Sequence, residues 1–236
     1  PIYHQLGNIS ISLRNFMEAK KNYQLSLDVY IEFGDRYSQS SDYHQLGMVA
    51  KELKEYAEAR QNYHQALVIK IEFDDRYSQA GTYQSLGVVD QELRKYAEAR
   101  QNYQKALAIF IEFGDRYSQA NVYHNLGAVA EDLREYAEAR QNYQQALAIK
   151  IEFGDRYSQA STYQNLGVLA AAEGNFAEAA QNLLQALEIF AQFQDQHNVE
   201  IALSNLSRIY QTTQDASLLE SISQVLVTPL KMLDKR

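Results

Sequence analysis

Five histidines and a recurring set of carboxylates are the side chains here that could hold a metal or move a proton. The histidines are His4, His44, His64, His124 and His197, and three of them, His4, His44 and His124, share one slot of a forty-residue register. Equivalent residues of stacked helices lie at least about 8–10 Å apart, whereas zinc holds its ligands at about 2 Å. Such a ladder does not share an ion, so no metal site is expected. Glu58, Glu72, Asp35 and their equivalents recur at the same spacing as helix-surface charges and caps. There is no Gly-rich phosphate loop, no His-Glu-x-x-His and no nucleophile elbow. No cysteine occurs in the 236 residues, which excludes disulfides, thiolate metal sites and cysteine nucleophiles. The chain reads as a non-enzyme that needs no cofactor.

Composition narrows the partner. The net charge of −8 argues against a nucleic-acid or anionic-membrane surface, since both need a basic stripe. It suits a neutral or basic partner. A hydrophobic content of 46% is enough to bury a core. No apolar run approaches the length of a membrane span and no signal-peptide pattern opens the chain, so a cytoplasmic protein is expected. Two glycosylation sequons, Asn8-Ile9-Ser10 and Asn205-Leu206-Ser207, fall in helical stretches and read as chance.

The elements that would position these residues are copies of one unit. Tyr-x-x-Leu-Gly starts at Tyr3, Tyr43, Tyr83, Tyr123 and Tyr163, and Asp-Arg-Tyr-Ser-Gln starts at Asp35, Asp75, Asp115 and Asp155. Residues 96–120 and 136–160 differ only at Lys105 against Gln145 and Phe110 against Lys150. A fixed period in this range signals a repeat array, in which each unit is stable by leaning on its neighbours. Pro1 enters just before the first Tyr-x-x-Leu-Gly, without the preceding tag that the others have, so a piece of a longer protein is expected.

Each repeat predicts two helices. Tyr37, Ser40, Tyr43, Leu46, Gly47, Ala50 and Leu53 recur three or four apart, and so do Tyr56, Ala59, Tyr63, Ala66, Ile69 and Phe73. Gly34, Gly114 and Gly154 are placed to end the second helix, and the following aspartates to cap the next one. The turn within a repeat has only Lys54-Glu55, Arg94-Lys95 or Arg134-Glu135 to mark it. Mid-helix Gly47, Gly87, Gly127 and Gly167 each cost about 1 kcal/mol against alanine, which predicts a close approach to Ala59, Ala99, Ala139 and Ala179, with Leu46 and Tyr63 filling the space around the contact. Sixteen of the eighteen tyrosines sort into four slots, typified by Tyr43, Tyr56, Tyr63 and Tyr77, and read as packing. Repeats are expected near 1–36, 37–76, 77–116, 117–156 and 157–196. Residues 197–236 then form a divergent final repeat and a capping helix, interrupted near Pro229.

Tyr43-x-x-Leu46-Gly47-x-x-Ala50, followed by Ala59-x-x-x-Tyr63 and Ala66, resembles the tetratricopeptide repeat (TPR) pattern over residues 3–196. The longer period is similar to the arrays of Pins-type adaptors and rapsyn, and to bacterial arrays fused to STAND NTPases or CHAT proteases. The resemblance implies an all-α, right-handed superhelical solenoid of about five and a half antiparallel helix pairs. It also implies a concave groove lined by the first helix of each repeat.

Carried onto this chain, that face holds an amide-rich ladder, Gln5, Gln45, Asn125, Asn165 and Asn205, with Ser85 the exception. Beside it run His4, His44, Gln84, His124 and Gln164. One turn later comes an apolar strip, Met48, Val88, Ala128 and Val168. A mostly acidic edge follows at Lys51-Glu52, Gln91-Glu92 and Glu131-Asp132. Amides offer both donor and acceptor to a peptide backbone. The expected partner is an extended or helical peptide with apolar anchors and some basic residues, held by a signalling scaffold. The basic slots of a carboxylate clamp are absent apart from Lys51 and Arg208. The alternative is a structural spacer, or a module that self-associates through its truncated first repeat.

Overall fold

The computed structural model describes residues 2–233, with side chains described as far as residue 226. Among the described residues there are twelve α-helices and no strand. They are α1 (Ile2–Ser12), α2 (Phe16–Glu32), α3 (Arg36–Glu52), α4 (Tyr56–Glu72), α5 (Arg76–Glu92), α6 (Tyr96–Glu112), α7 (Arg116–Asp132), α8 (Tyr136–Glu152), α9 (Arg156–Ala172), α10 (Phe176–Gln192), α11 (Gln196–Thr213) and α12 (Ala216–Leu233). The chain is the all-α succession of antiparallel helix pairs that the periodicity predicts. It divides into two compact units, Pro1–Ser118 and Gln119–Arg236.

Every helix from α2 to α10 has 17 residues, and three residues join each to the next. Both kinds of join are the same turn. After α3, Lys54 N–H donates to Lys51 O at 2.9 Å and Glu55 N–H to Ala50 O at 2.8 Å. After α6, Gly114 N–H donates to Ile111 O and Asp115 N–H to Phe110 O. This is the Schellman pattern, which needs one left-handed residue. Gly114 supplies it at φ +68, but Lys54, Arg94 and Arg134 supply it at φ +57 to +61. The within-repeat turn was poorly marked because an ordinary basic residue takes glycine's place there.

The aspartates after the between-repeat turn are N-caps: Asp35, Asp75 and Asp155 accept from Ser38, Ser78 and Ser158. Glu55, Lys95 and Glu135 open the second helices without a side-chain cap. Helix α12 continues to Leu233, so the expected interruption near Pro229 does not occur. Residues 234–236 of the expected capping segment lie outside the described residues.

Mid-helix Gly47, Gly87 and Gly127 admit the tyrosine ring four residues beyond the expected alanine, whereas Gly167 meets Leu183 and, at 3.1 Å, the Ala179 carbonyl. A Cβ on Gly87 would lie 2.5 Å from Tyr103 Cε1, and one on Gly47 would lie 2.7 Å from Tyr63 Cδ1. Tyr23, Tyr63, Tyr103 and Tyr143 are almost wholly buried by this means. In the first unit, Tyr63 packs with Ala50, Ala59, Leu67, Leu86 and Val89. In the second, Tyr143 packs with Ala130, Ala139, Leu166 and Leu169. The other tyrosine slots differ: Tyr37, Tyr77, Tyr117 and Tyr157 are exposed.

Successive Asp-Arg-Tyr-Ser-Gln tags form a seam, the tyrosine of one meeting the aspartate of the next. Tyr77 hydroxyl donates to Asp115 at 2.7 Å while its ring meets Phe113 edge-on. Tyr37 does the same with Asp75 and Phe73. Arg36, at the start of α3, reaches Glu72, at the end of α4, at 3.2 Å. The basic slot of the second helices makes a second seam. Lys20 holds Glu55 and Glu58, Arg60 holds the buried Asp90 at 2.6 Å, and Arg140 holds Glu173 and Glu178. Arg60 and Arg140 each open an Arg-Gln-Asn stretch that recurs at forty-residue spacing, so that stretch is partly a contact surface.

Candidate functional site

First-helix residues of each unit hold the candidate binding side chains. In the first unit, α3 carries His44, Gln45 and Met48, and α5, which touches it, carries Gln84 and Val88. All five are half-buried. The His44 ring lies 5.1 Å from that of Tyr63, and its Nδ1 lies 3.4 Å from Thr82 Oγ1. The same Thr82 oxygen accepts from buried Lys70 Nζ at 2.8 Å. Burial, with the Lys70 charge adding to it, holds the His44 imidazole down at about 4. His44 is therefore a neutral packing group more than a groove contact. Gln45 Oε1 sits away from solvent without a hydrogen-bond partner among the described residues.

The acidic edge of this unit is largely occupied. Glu52 pairs with Lys51 at 2.9 Å, Glu92 is bonded by Tyr56, and Gln91 accepts from the Tyr103 hydroxyl at 3.3 Å. Those carboxylates and amides are spent on the array's own side chains.

In the second unit, α7 carries His124, Asn125 and Glu131, α9 carries Gln164, Asn165 and Val168, and α11 carries Asn205; all are half-buried. His124 repeats the His44 geometry, 5.5 Å from the Tyr143 ring and 3.2 Å from Thr162 Oγ1, with the imidazole again held at about 4 by burial and Lys150. Asn165 Nδ2 lies 3.4 Å from His124 Nε2. Glu131 accepts from the Tyr143 hydroxyl at 2.8 Å, and burial raises its carboxyl above the usual range. Gln164 Oε1 is enclosed and unpartnered among the described residues.

Val168 and Asn205 are brought together with residues that the ladder did not include. They line a cavity of about 160 Å³ with Ala171, Phe176, Leu183, Arg208, Ile209 and Thr212. The signal for it was present in sequence as drift: Leu183 stands where Tyr143 stands one repeat earlier, and Ala171 where Glu131 stands. Among the described residues no group of three or more His, Cys, Asp or Glu is placed to hold a metal, and no helix is long and apolar enough to cross a membrane.

Comparison with known proteins places this architecture. The tetratricopeptide repeat profile matches residues 1–72, 78–152 and 159–192. The chain belongs to the tetratricopeptide repeat family. A comparison with curated proteins finds no match. Among solved structures, the TPR chain is similar to BtubC (BKLC) from P. vanneervenii, with a TM-score of 0.72 at 19% identity over 94% of this chain and 91% of that one. It is similar to a STAND protein with a tetratricopeptide repeat sensor from Pyrococcus horikoshii, with a TM-score of 0.81 at 16% identity over 99% of this chain but 36% of that one. It is also similar to a putative kinesin light chain from Podosopora anserina with nearly identical TPR-like repeats, with a TM-score of 0.68 at 18% identity over 82% and 95%. At these identities the likeness concerns the fold. TPR folds typically serve as protein-interaction scaffolds.

Proposed function

We propose that this TPR array binds a peptide or helical segment of a partner protein on its first-helix face and carries out no catalysis. The observation that supports this reading is the state of that face: half-buried amide and apolar side chains at repeat spacing, with a cleft at Val168 and Asn205. Stacked helices fix the face in advance, so little ordering opposes binding. Asn125, Asn165 and Val168 would contact the segment in the second unit, and Gln45, Met48 and Val88 in the first. The role fits the sensor or adaptor region of a larger signalling protein, such as the STAND protein with a tetratricopeptide repeat sensor.

A peptide library displayed on phage and selected on this chain supplies the probes, and titration calorimetry supplies the affinities. Selected peptides should lose binding to the Asn125→Ala, Asn165→Ala double variant while its helicity is unchanged. Equal binding to both proteins, or no enrichment at all, rejects the reading.

Self-association is a second reading, favoured by α1. It exposes Ile2, Leu6, Ile9 and Leu13, whereas Leu46 and Val49, in the slots of Leu6 and Ile9, are buried. Sedimentation equilibrium of the chain beside its Ile9→Asp variant tests it, and a monomeric parent rejects it.

A further inference from the structure

The cavity in the second unit exists because two replacements removed a pair of groups that hydrogen-bond to each other one repeat earlier. There, the Tyr143 ring fills the space below Asn165, and its hydroxyl meets both the Glu131 carboxylate at 2.8 Å and the Asn165 amide. In the next repeat the tyrosine is Leu183 and the glutamate is Ala171. Shortening the ring leaves volume, and losing the acid leaves the amide of Asn205 without its counterpart. Neither the Asn205 side chain nor the Arg208 guanidinium has a hydrogen-bond or ion-pair partner among the described residues. Arg208 stands where Val168, Ala128 and Val88 stand earlier, so a positive charge has entered the apolar strip at this cavity.

These features specify an occupant. A cavity of about 150 Å³ lined by apolar groups accepts a benzene-sized body, and this one measures about 160 Å³ with Val168, Ala171, Phe176, Leu183 and Ile209 around it. An unpaired guanidinium at its edge favours a carboxylate, which it can bind through two parallel N–H groups. We propose that this cavity is the anchor subsite for a partner segment in which a tyrosine stands beside an acidic residue. The ring replaces the volume lost at Leu183, the hydroxyl pairs with Asn205, and the acidic side chain pairs with Arg208. The proposal rests on the peptide-binding reading above and names the chemistry of the peptide.

The test uses the full chain and a dye-labelled, end-capped peptide with a central Tyr-Glu, read by fluorescence polarisation. Control peptides carry Ala-Glu, Tyr-Gln, or an uncapped terminal tyrosine. The capped Tyr-Glu peptide should bind, and each control should bind at least about tenfold more weakly. Leu183→Tyr restores the residue that the other repeats use and fills the cavity; Arg208→Gln removes the charge from an exposed position. Each should weaken the Tyr-Glu peptide by at least about tenfold, with helicity retained. No binding of the capped peptide, tightest binding of the uncapped one, or indifference to both Leu183→Tyr and Arg208→Gln overturns the subsite. If library-selected peptides still depend on Asn125 and Asn165 in that event, the subsite falls and the binding face stands; if they do not, both fall.

Discussion

Lys150 is buried and donates its ammonium to Thr162 Oγ1 at 2.9 Å, twelve residues along and in the following repeat. His124 faces the same oxygen at 3.2 Å. Lys70, Thr82 and His44 form the matching set in the first unit. The sets alternate with apolar ones in sequence: Gln84, Phe110 and Val122, then Gln164, Phe190 and Ala202, the last two in one core cluster. The three slots change together because a buried ammonium needs an acceptor, whereas a phenyl ring needs none.

Transplanting the apolar set should therefore stabilise the protein. The triple variant His124→Gln, Lys150→Phe, Thr162→Val removes a desolvated charge together with its acceptor, and a gain of about 1–3 kcal/mol at neutral pH is expected. Lys150→Phe alone should gain less, because it leaves the Thr162 hydroxyl facing a ring. Urea unfolding of the variants and the parent provides the comparison, and a triple variant less stable than the single one contradicts the coupling.

Acid should begin to destabilise the fold above the usual carboxylate range. His44 and His124 are held at about 4 when folded, by burial first and by Lys70 and Lys150 second, against about 6.5 when unfolded. Between those values the unfolded chain binds more protons, so stability falls as the pH drops from about 6.5 towards 4. The ceiling is about 1.4 kcal/mol per pH unit for each histidine. Stability measured across this window should flatten in a His44→Gln, His124→Gln variant.

Alkali should act in two stages. Burial lowers the Lys150 ammonium to about 8, so the unfolded chain holds that proton longer and stability rises with pH above about 8. Burial raises the Tyr23 and Tyr63 phenols to about 12. The unfolded chain then loses those protons first, so stability falls above about 10. A maximum between the two, seen by chemical unfolding at fixed pH values, is expected, and a Lys70→Met, Lys150→Met variant should remove the rise while leaving the fall.

Two glycines of one helix should respond in opposite directions to alanine. Gly87→Ala would drive a Cβ to 2.5 Å from Tyr103, and overpacking of this kind costs about 1–3 kcal/mol. Gly81, six residues earlier on α5, has nothing within 4 Å of an added Cβ, so Gly81→Ala should gain roughly 1 kcal/mol of helix propensity. Thermal unfolding followed by circular dichroism distinguishes them.

At the seam, Asp115 serves twice, capping Ser118 N–H at 3.0 Å and accepting the Tyr77 hydroxyl at 2.7 Å. Asp115→Ala should cost about 1–2 kcal/mol. Tyr77→Phe keeps the ring on Phe113 and should cost about 1 kcal/mol or less. Equal losses in the two variants would mean that the cap contributes nothing.

Helix positions were legible because they depend on neighbours three or four residues apart, and the forty-residue period wrote the same stripe at Leu46, Leu86, Leu126 and Leu166. The proposed binding ladder was less legible. His44 and His124 looked like groove residues by slot, yet each is engaged by a tyrosine ring and a threonine thirty-eight residues on, a distance at which no local pattern operates.

The amino-acid order alone determined the all-α class, the helix pairs and the aspartate caps, since each is set by local backbone geometry and by apolar spacing within one turn or two. Only the tertiary structure decided how deeply the tyrosine rings enter the notches at Gly47, Gly87 and Gly127, that lysine and threonine share a buried set, and that Leu183 opens a cavity beside Arg208. Those outcomes depend on how much volume one helix leaves for the side chains of another, and volume is a property of packed elements, not of a stretch of chain.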